Sequence, residues 1–162
     1  MPAPLKGIKV LDFSQVGAIP ACGAILGDLG ADVIKIERLE GENLRRGQVE
    51  AMPWKEAIGE PVDDTWWMTF NRSKRDLAID LRHERGKEII LELAKDADIA
   101  MHNFRAGVME KLGLDYKALS TVNPRIIYLT LWPYGEKGPM KRWAGADCWI
   151  QAMSGMVAYL GC

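Results

Sequence analysis

Nine consecutive residues, Gly30-Ala31-Asp32-Val33-Ile34-Lys35-Ile36-Glu37-Arg38, restrict the possible folds more than any other stretch of the chain. Glycine tolerates the left-handed backbone that closes a helix, and Val33, Ile34 and Ile36 suit a short enclosed strand. In open α/β sheets ligands bind beyond the carboxyl ends of the strands, which places Glu37 and Arg38 at the mouth of a crevice. A guanidinium there can grip a phosphate in bidentate geometry. The plainer alternative is a solvated strand end.

The rest of the chain repeats the same alternation. Strand-like runs are expected at 8–13, 33–36, 77–81, 99–101 and 125–131. Helical patterns are expected at 20–29, with Pro20 in the first turn, then at 83–97, 108–112 and 116–121. Within 83–97, Ile89, Ile90, Leu93 and Ala97 share one face while Lys87, Glu88, Glu92 and Lys95 stay wet. Residues 39–64 carry Gly, Pro and charge with little periodicity and read as a long surface excursion, a length that often serves function. The pattern predicts an α/β fold, a Rossmann-like and mainly parallel sheet flanked by helices, with residues 1–162 forming one domain.

Several function classes lose support. The first strand is followed by Ser14-Gln15-Val16-Gly17-Ala18-Ile19-Pro20, which lacks the GxGxxG cradle, and no GxxxxGK[ST] occurs anywhere. Lys plus Arg total 21 against 22 Asp plus Glu, a formal charge of -1, so no overall field favours nucleic acid or an anionic membrane. No basic leader or apolar run of about 20 residues is present, and the expectation is a cytoplasmic protein without membrane contact. Cys22, Cys148 and Cys162 are odd in number and widely spaced, and with only His83 and His102 to assist them they predict neither a disulfide framework nor a metal site.

Basic groups recur in expected connections. Arg38, Arg45 and Arg46 bound the long excursion, and Asn71-Arg72-Ser73-Lys74-Arg75 precedes the third expected strand. Such clusters can neutralise phosphates, although a solvated charge run explains them as well. Asn103-Phe104-Arg105 follows the fourth strand and sets an amide, an aromatic face and a cation at a carboxyl edge, able to hydrogen-bond and stack on a heterocycle.

An ordered series of motifs then carries a family resemblance. Leu5-Lys6-Gly7-Ile8-Lys9-Val10-Leu11-Asp12, Gly27-Asp28-Leu29-Gly30-Ala31-Asp32, Asn71-Arg72-Ser73-Lys74-Arg75 and Asn103-Phe104-Arg105-Ala106-Gly107 resemble the family III CoA-transferases. Asn123-Pro124-Arg125-Ile126-Ile127-Tyr128, Gly135-Glu136-Lys137-Gly138-Pro139 and Gln151-Ala152-Met153-Ser154-Gly155 continue the series in order. The resemblance implies an acyl-CoA:carboxylate CoA-transferase or a related 2-methylacyl-CoA racemase, built as a homodimer around a Rossmann-like large domain. It implies acyl-CoA and carboxylate small molecules as substrates, with no tightly bound cofactor. It places Arg38, Asn103, Phe104 and Lys111 around the CoA nucleotide, Lys74 and Arg75 nearby, and Val16, Gly17 and Ala18 at the acyl and thioester region.

The chain also departs from that family. Ala146-Asp147 stands where its racemases carry a His-Asp pair, which removes the imidazole suited to α-proton exchange. Gly17 replaces the glutamine of formyl-CoA transferases, and Pro133 replaces a loop glycine. The family nucleophile, an aspartate, is expected beyond Cys162, leaving Asp147 as the only nearby carboxylate on a matching segment. The expectation is therefore a truncated large domain that binds CoA without turning over alone. The alternatives are a non-catalytic CoA-binding or assembly module serving a complementing chain, and a racemase fragment. Trp149, Ile150, Met153, Met156, Val157 and Leu160 recur at helical spacing, and each would gain about 1.5 to 3 kcal/mol from full burial. That stripe needs a covering surface, which a second protomer or further chain supplies in the family. The alternative is a core helix packed on its own sheet.

Overall fold

The computed structural model describes residues 3–42 and 65–160. Each short apolar run becomes a strand: β1 Lys9–Asp12, β2 Asp32–Glu37, β3 Lys74–Ala78, β4 Ile99–His102 and β5 Ile127–Thr130. Every pairing is parallel, in the order β3-β2-β1-β4-β5, with Val10 opposite both Val33 and Ile99. The chain thus reverses its direction of growth between β1 and β4, where an open α/β sheet presents its ligand crevice.

The helices connecting these strands are α1 Ala18–Asp28, α2 Thr65–Asn71, α3 Glu84–Ala94, α4 Val108–Leu112 and α5 Tyr116–Val122. Two further helices follow β5, α6 Asp147–Met153 and α7 Met156–Leu160. Because strand side chains alternate, the sheet is covered twice. Val10, Val33 and Met101 meet Ile19 of α1 on one face. Leu11, Ile36 and Ala100 meet Ile90 and Ala94 of α3 and Leu119 of α5 on the other.

Gly30 closes the α1–β2 junction at φ +99, the left-handed geometry expected of it. Gly23 has a different reason for lacking a side chain. A Cβ there would lie 2.6 Å from Met101 Cε and 2.8 Å from Asp12 Oδ2, so α1 can approach the sheet only through a glycine.

Three expectations require correction. The third strand lies at Lys74–Ala78 rather than 77–81, so Lys74 and Arg75 belong to the strand and not to a connection. On α3 the buried line is Gly86, Ile90 and Ala94, whereas Ile89 is exposed. The apolar carboxyl-terminal stripe is split between α6 and α7 by Gly155 at φ +78, with Trp149 and Met156 each 52% exposed. Of the excursion at 39–64, residues 43–64 lie outside the described residues, and Arg45 and Arg46 with them; Cys162 does too.

Candidate functional site

A cleft of about 540 Å³ opens along the carboxyl ends of four strands. Gln15 lines it after β1, Glu37 at the end of β2 with Arg38, Leu39 and Glu40 beyond it, Ile79 to Arg82 after β3, and Phe104 after β4, with Leu112 of α4 closing one side. The floor is apolar, from Ile36, Ile79, Leu81, Phe104 and Leu112, and two guanidiniums, Arg38 and Arg82, stand at the rim. A flat heterocycle can lie on such a floor while phosphates reach the guanidiniums.

The electrostatics are set by neighbouring carboxylates. Arg82 Nε donates to Asp80 Oδ1 at 3.1 Å, and the Arg82 backbone N–H donates to the same oxygen at 2.9 Å. These bonds, the backbone one foremost, hold the Asp80 carboxyl below its ordinary range. Glu37 turns inward, where Trp67 Nε1 donates to its Oε1 at 3.0 Å and Glu42 N to its Oε2 at 3.2 Å. A second cavity, of about 580 Å³ near the ends of β4 and β5, presents Glu110, Asp115 and Glu136 and no cation among its lining residues. Carboxylates line both cavities, Glu37, Glu40 and Asp80 in the first, and what sets the first apart is that it also presents guanidiniums, Arg38 and Arg82, to an anion.

The expected site residues divide into groups. Arg38 and Phe104 both line the cleft. Asn103 borders it, but its carboxamide is engaged with the backbone of Gln15, donating from Nδ2 to Gln15 O at 2.6 Å and accepting from Gln15 N at 2.8 Å. It braces β4 against the chain leaving β1. Val16, Gly17 and Ala18 directly follow the cleft residue Gln15: Val16 is exposed at φ +68, Gly17 is the amino cap of α1, and Ala18 opens the helix. Lys111 lies on the exposed side of α4, one residue from Leu112 of the cleft.

Lys74 and Arg75 stand apart from the cleft. Lys74 is buried under α1, donating to Asp12 Oδ2 at 2.7 Å, Pro20 O at 2.8 Å and Asn71 Oδ1 at 2.9 Å. Burial lowers its pKa, and Asp12 opposes that shift. Arg75 forms a bidentate pair with Asp32 at the start of β2, at 2.8 and 2.7 Å. Asp147 is exposed on the first turn of α6, where Gln151 Nε2 donates to its Oδ2 at 2.6 Å. No group of three metal-binding side chains occurs among the described residues.

Arg82 is the functional candidate that the sequence reading overlooked. The signal was available, since Asp80-Leu81-Arg82 follows a strand much as Arg38 does.

Comparison with known proteins identifies the family. The sequence model for CoA-transferase family III matches residues 5–162. The chain is 37% identical to a succinate–glutarate CoA-transferase of Agrobacterium fabrum, over 98% of this chain and 39% of that protein. It is 34% identical to a formyl-CoA:oxalate CoA-transferase of Streptomyces coelicolor, over 97% of this chain and 36% of that protein. Among solved structures it is similar to an alanine-for-aspartate mutant of Rv3272 from Mycobacterium tuberculosis, with TM-score 0.83 and 40% identity over 96% of this chain and 40% of that one. A CAIB/BAIF family protein from Brucella suis gives TM-score 0.82 and 36% identity over 96% and 40%. The chain thus spans well under half the length of these relatives.

Proposed function

Because the chain belongs to CoA-transferase family III, we propose that it forms the coenzyme A-binding part of an acyl-CoA:carboxylate CoA-transferase. The observation that carries this reading is the single cleft shared by Arg38, Arg82 and Phe104 at the carboxyl ends of the sheet. In it, the adenine lies against Phe104 and the apolar floor, and the guanidiniums hold the phosphates through charge-assisted bonds. The thioester end runs toward Val16, Gly17 and Ala18, which continue directly from Gln15. Lys111 reaches the nucleotide from the outer face of α4. Lys74 and Arg75 act on the ligand only indirectly, through the strand they hold.

The chemistry of transfer is covalent. A carboxylate attacks the thioester carbonyl, the CoA thiolate leaves, and a mixed anhydride forms, which divides a difficult exchange into easier steps. Asp147 does not line the cleft and is bonded to Gln151, so it is not assigned as the attacking carboxylate. The exposed apolar side chains of α6 and α7, Trp149, Met153 and Met156, are the contact surface for a second protomer or a complementing chain. No helix among the described residues is long and apolar enough to cross a membrane.

Calorimetric titration of the protein with CoA, repeated on Arg38→Ala, tests the reading. Binding is expected, weakened in the variant by about 1.5 to 3 kcal/mol for each charged hydrogen bond lost. Absence of binding to the unaltered protein, or equal affinity in both, would overturn it.

A further inference from the structure

Val16 is a β-branched residue at φ +68, a backbone region that such side chains rarely occupy. Surrounding structure must impose this conformation, and the contacts show which groups do so. Glu42 Oε1 accepts the Val16 N–H at 2.5 Å. The other oxygen of the same carboxylate faces Lys35 Nζ at 3.0 Å, and it has no hydrogen-bond partner of good geometry among the described residues. Lys35 donates in turn to the carbonyl of Ser14, two residues before Val16. The two charged side chains are 1% and 2% exposed, so the pair lies beneath the β1–α1 turn and touches it at two points.

A buried ion pair is a poor source of stability, because desolvation of both ions offsets most of their attraction. Its value here lies in geometry, since one carboxylate oxygen is set against the Val16 N–H while the other faces Lys35. We infer that Lys35 and Glu42 are a positioning pair that holds Val16 in its left-handed conformation, and with it the course of the Val16–Ala18 turn, and thereby sets the affinity for the acyl-thioester end of the ligand, leaving the nucleotide end unaffected. This rests on the CoA reading given above. Neither side chain lines the cleft, so their action on the ligand passes through the backbone of the turn.

The test compares two probes, acetyl-CoA and adenosine 3′,5′-bisphosphate, which carries only the nucleotide portion. Lys35→Met combined with Glu42→Leu removes both charges together and so leaves no orphan ion in the core. Acetyl-CoA affinity is expected to fall about tenfold while adenosine bisphosphate affinity is unchanged, in line with the conformational cost of one left-handed non-glycine residue. Adding Val16→Gly to that background is expected to restore part of the loss, since glycine adopts this φ without penalty. Glu42→Gln is the gentler second variant: an amide satisfies Val16 or Lys35 but not both, and a smaller loss with the same selectivity is expected. Equal losses for both probes, no loss for either, or no recovery with glycine would overturn the positioning role. If the unaltered protein binds neither probe, the CoA reading falls first and the positioning role falls with it.

Discussion

The carboxamide of Asn103 pairs with the peptide of Gln15 through two hydrogen bonds, at 2.8 and 2.6 Å, and so ties the end of β4 to the chain leaving β1. These are the two strands between which the sheet reverses its order. The amide that the sequence offers as a ligand contact therefore acts as a brace across the switch point, with Gln15 and Phe104 of the cleft on either side of it.

Replacing Asn103 by Asp keeps an acceptor for Gln15 N but removes the donor to Gln15 O, and places a charge against that carbonyl. Asn103→Asp is expected to destabilise the protein by about 1 to 3 kcal/mol, the penalty for a part-buried polar group left unpaired. CoA binding should weaken in parallel. Urea denaturation together with a CoA titration measures both, and unchanged stability would show that the brace contributes nothing.

The pair of Lys74 with Asp12 supports a second prediction. Both groups are buried, at 1% and 0% exposure, and Lys74→Met leaves the Asp12 carboxylate without its cation. The expected loss is about 3 to 5 kcal/mol, whereas removing Asp12 as well should recover much of it. Equilibrium unfolding of the single and double variants gives the comparison, and additive losses would argue against a coupled pair.

How much of this was legible in the residues depends on what each residue type ordinarily does. Val10, Val33 and Met101 were readable as strand positions because apolar side chains at period two have few other uses, and the parallel five-stranded sheet followed from them. The third strand was misplaced because it begins with Lys74 and Arg75, which propensity assigns to a solvated turn. Lys35, Glu42 and Lys74 were hidden for the same reason. A charged residue carries no local sign of burial, because its partner arrives from elsewhere in the chain: Lys74 meets Asp12 from a distant strand. Arg38 and Phe104 were legible as cleft residues through topology, since the crevice of such a sheet lies at the carboxyl ends of its strands. Asn103 was found by that rule too, but nothing local tells a ligand contact from a brace.

The approach of α1 to the sheet gives a third prediction. Gly23→Ala would set a methyl group 2.6 Å from Met101 Cε and 2.8 Å from Asp12 Oδ2. Met101 can shift, but the carboxylate is fixed by Lys74 and by the Ser14 N–H at 3.0 Å, so the helix must move outward. A destabilisation of about 1 to 3 kcal/mol is expected from this overpacking, despite the better helix propensity of alanine. A higher melting temperature in the variant would refute the close approach.

His102 supplies a pH dependence that reaches the cleft. Its Nδ1 accepts the Phe104 N–H at 3.2 Å, which leaves Nε2 to donate to Thr130 Oγ1 at 3.2 Å, an arrangement that only the neutral ring can make. Burial pushes its pKa from the ordinary 6.5 down to about 4, against a smaller opposing pull from Glu110. The unfolded chain thus takes up this proton before the folded one as pH falls. The stability contributed by the neutral ring is fully present above pH 6.5, declines between 6.5 and about 4, and levels off below that. His102→Gln keeps a donor and an acceptor but cannot titrate, so its melting temperature should fall less than that of the unaltered protein between pH 7 and pH 5. Once the ring is protonated, Nδ1 no longer accepts from Phe104, and CoA affinity should drop below pH 4 together with the cleft wall that Phe104 forms. Identical melting profiles for the two proteins across this range would mean that the imidazole does not hold the turn after β4.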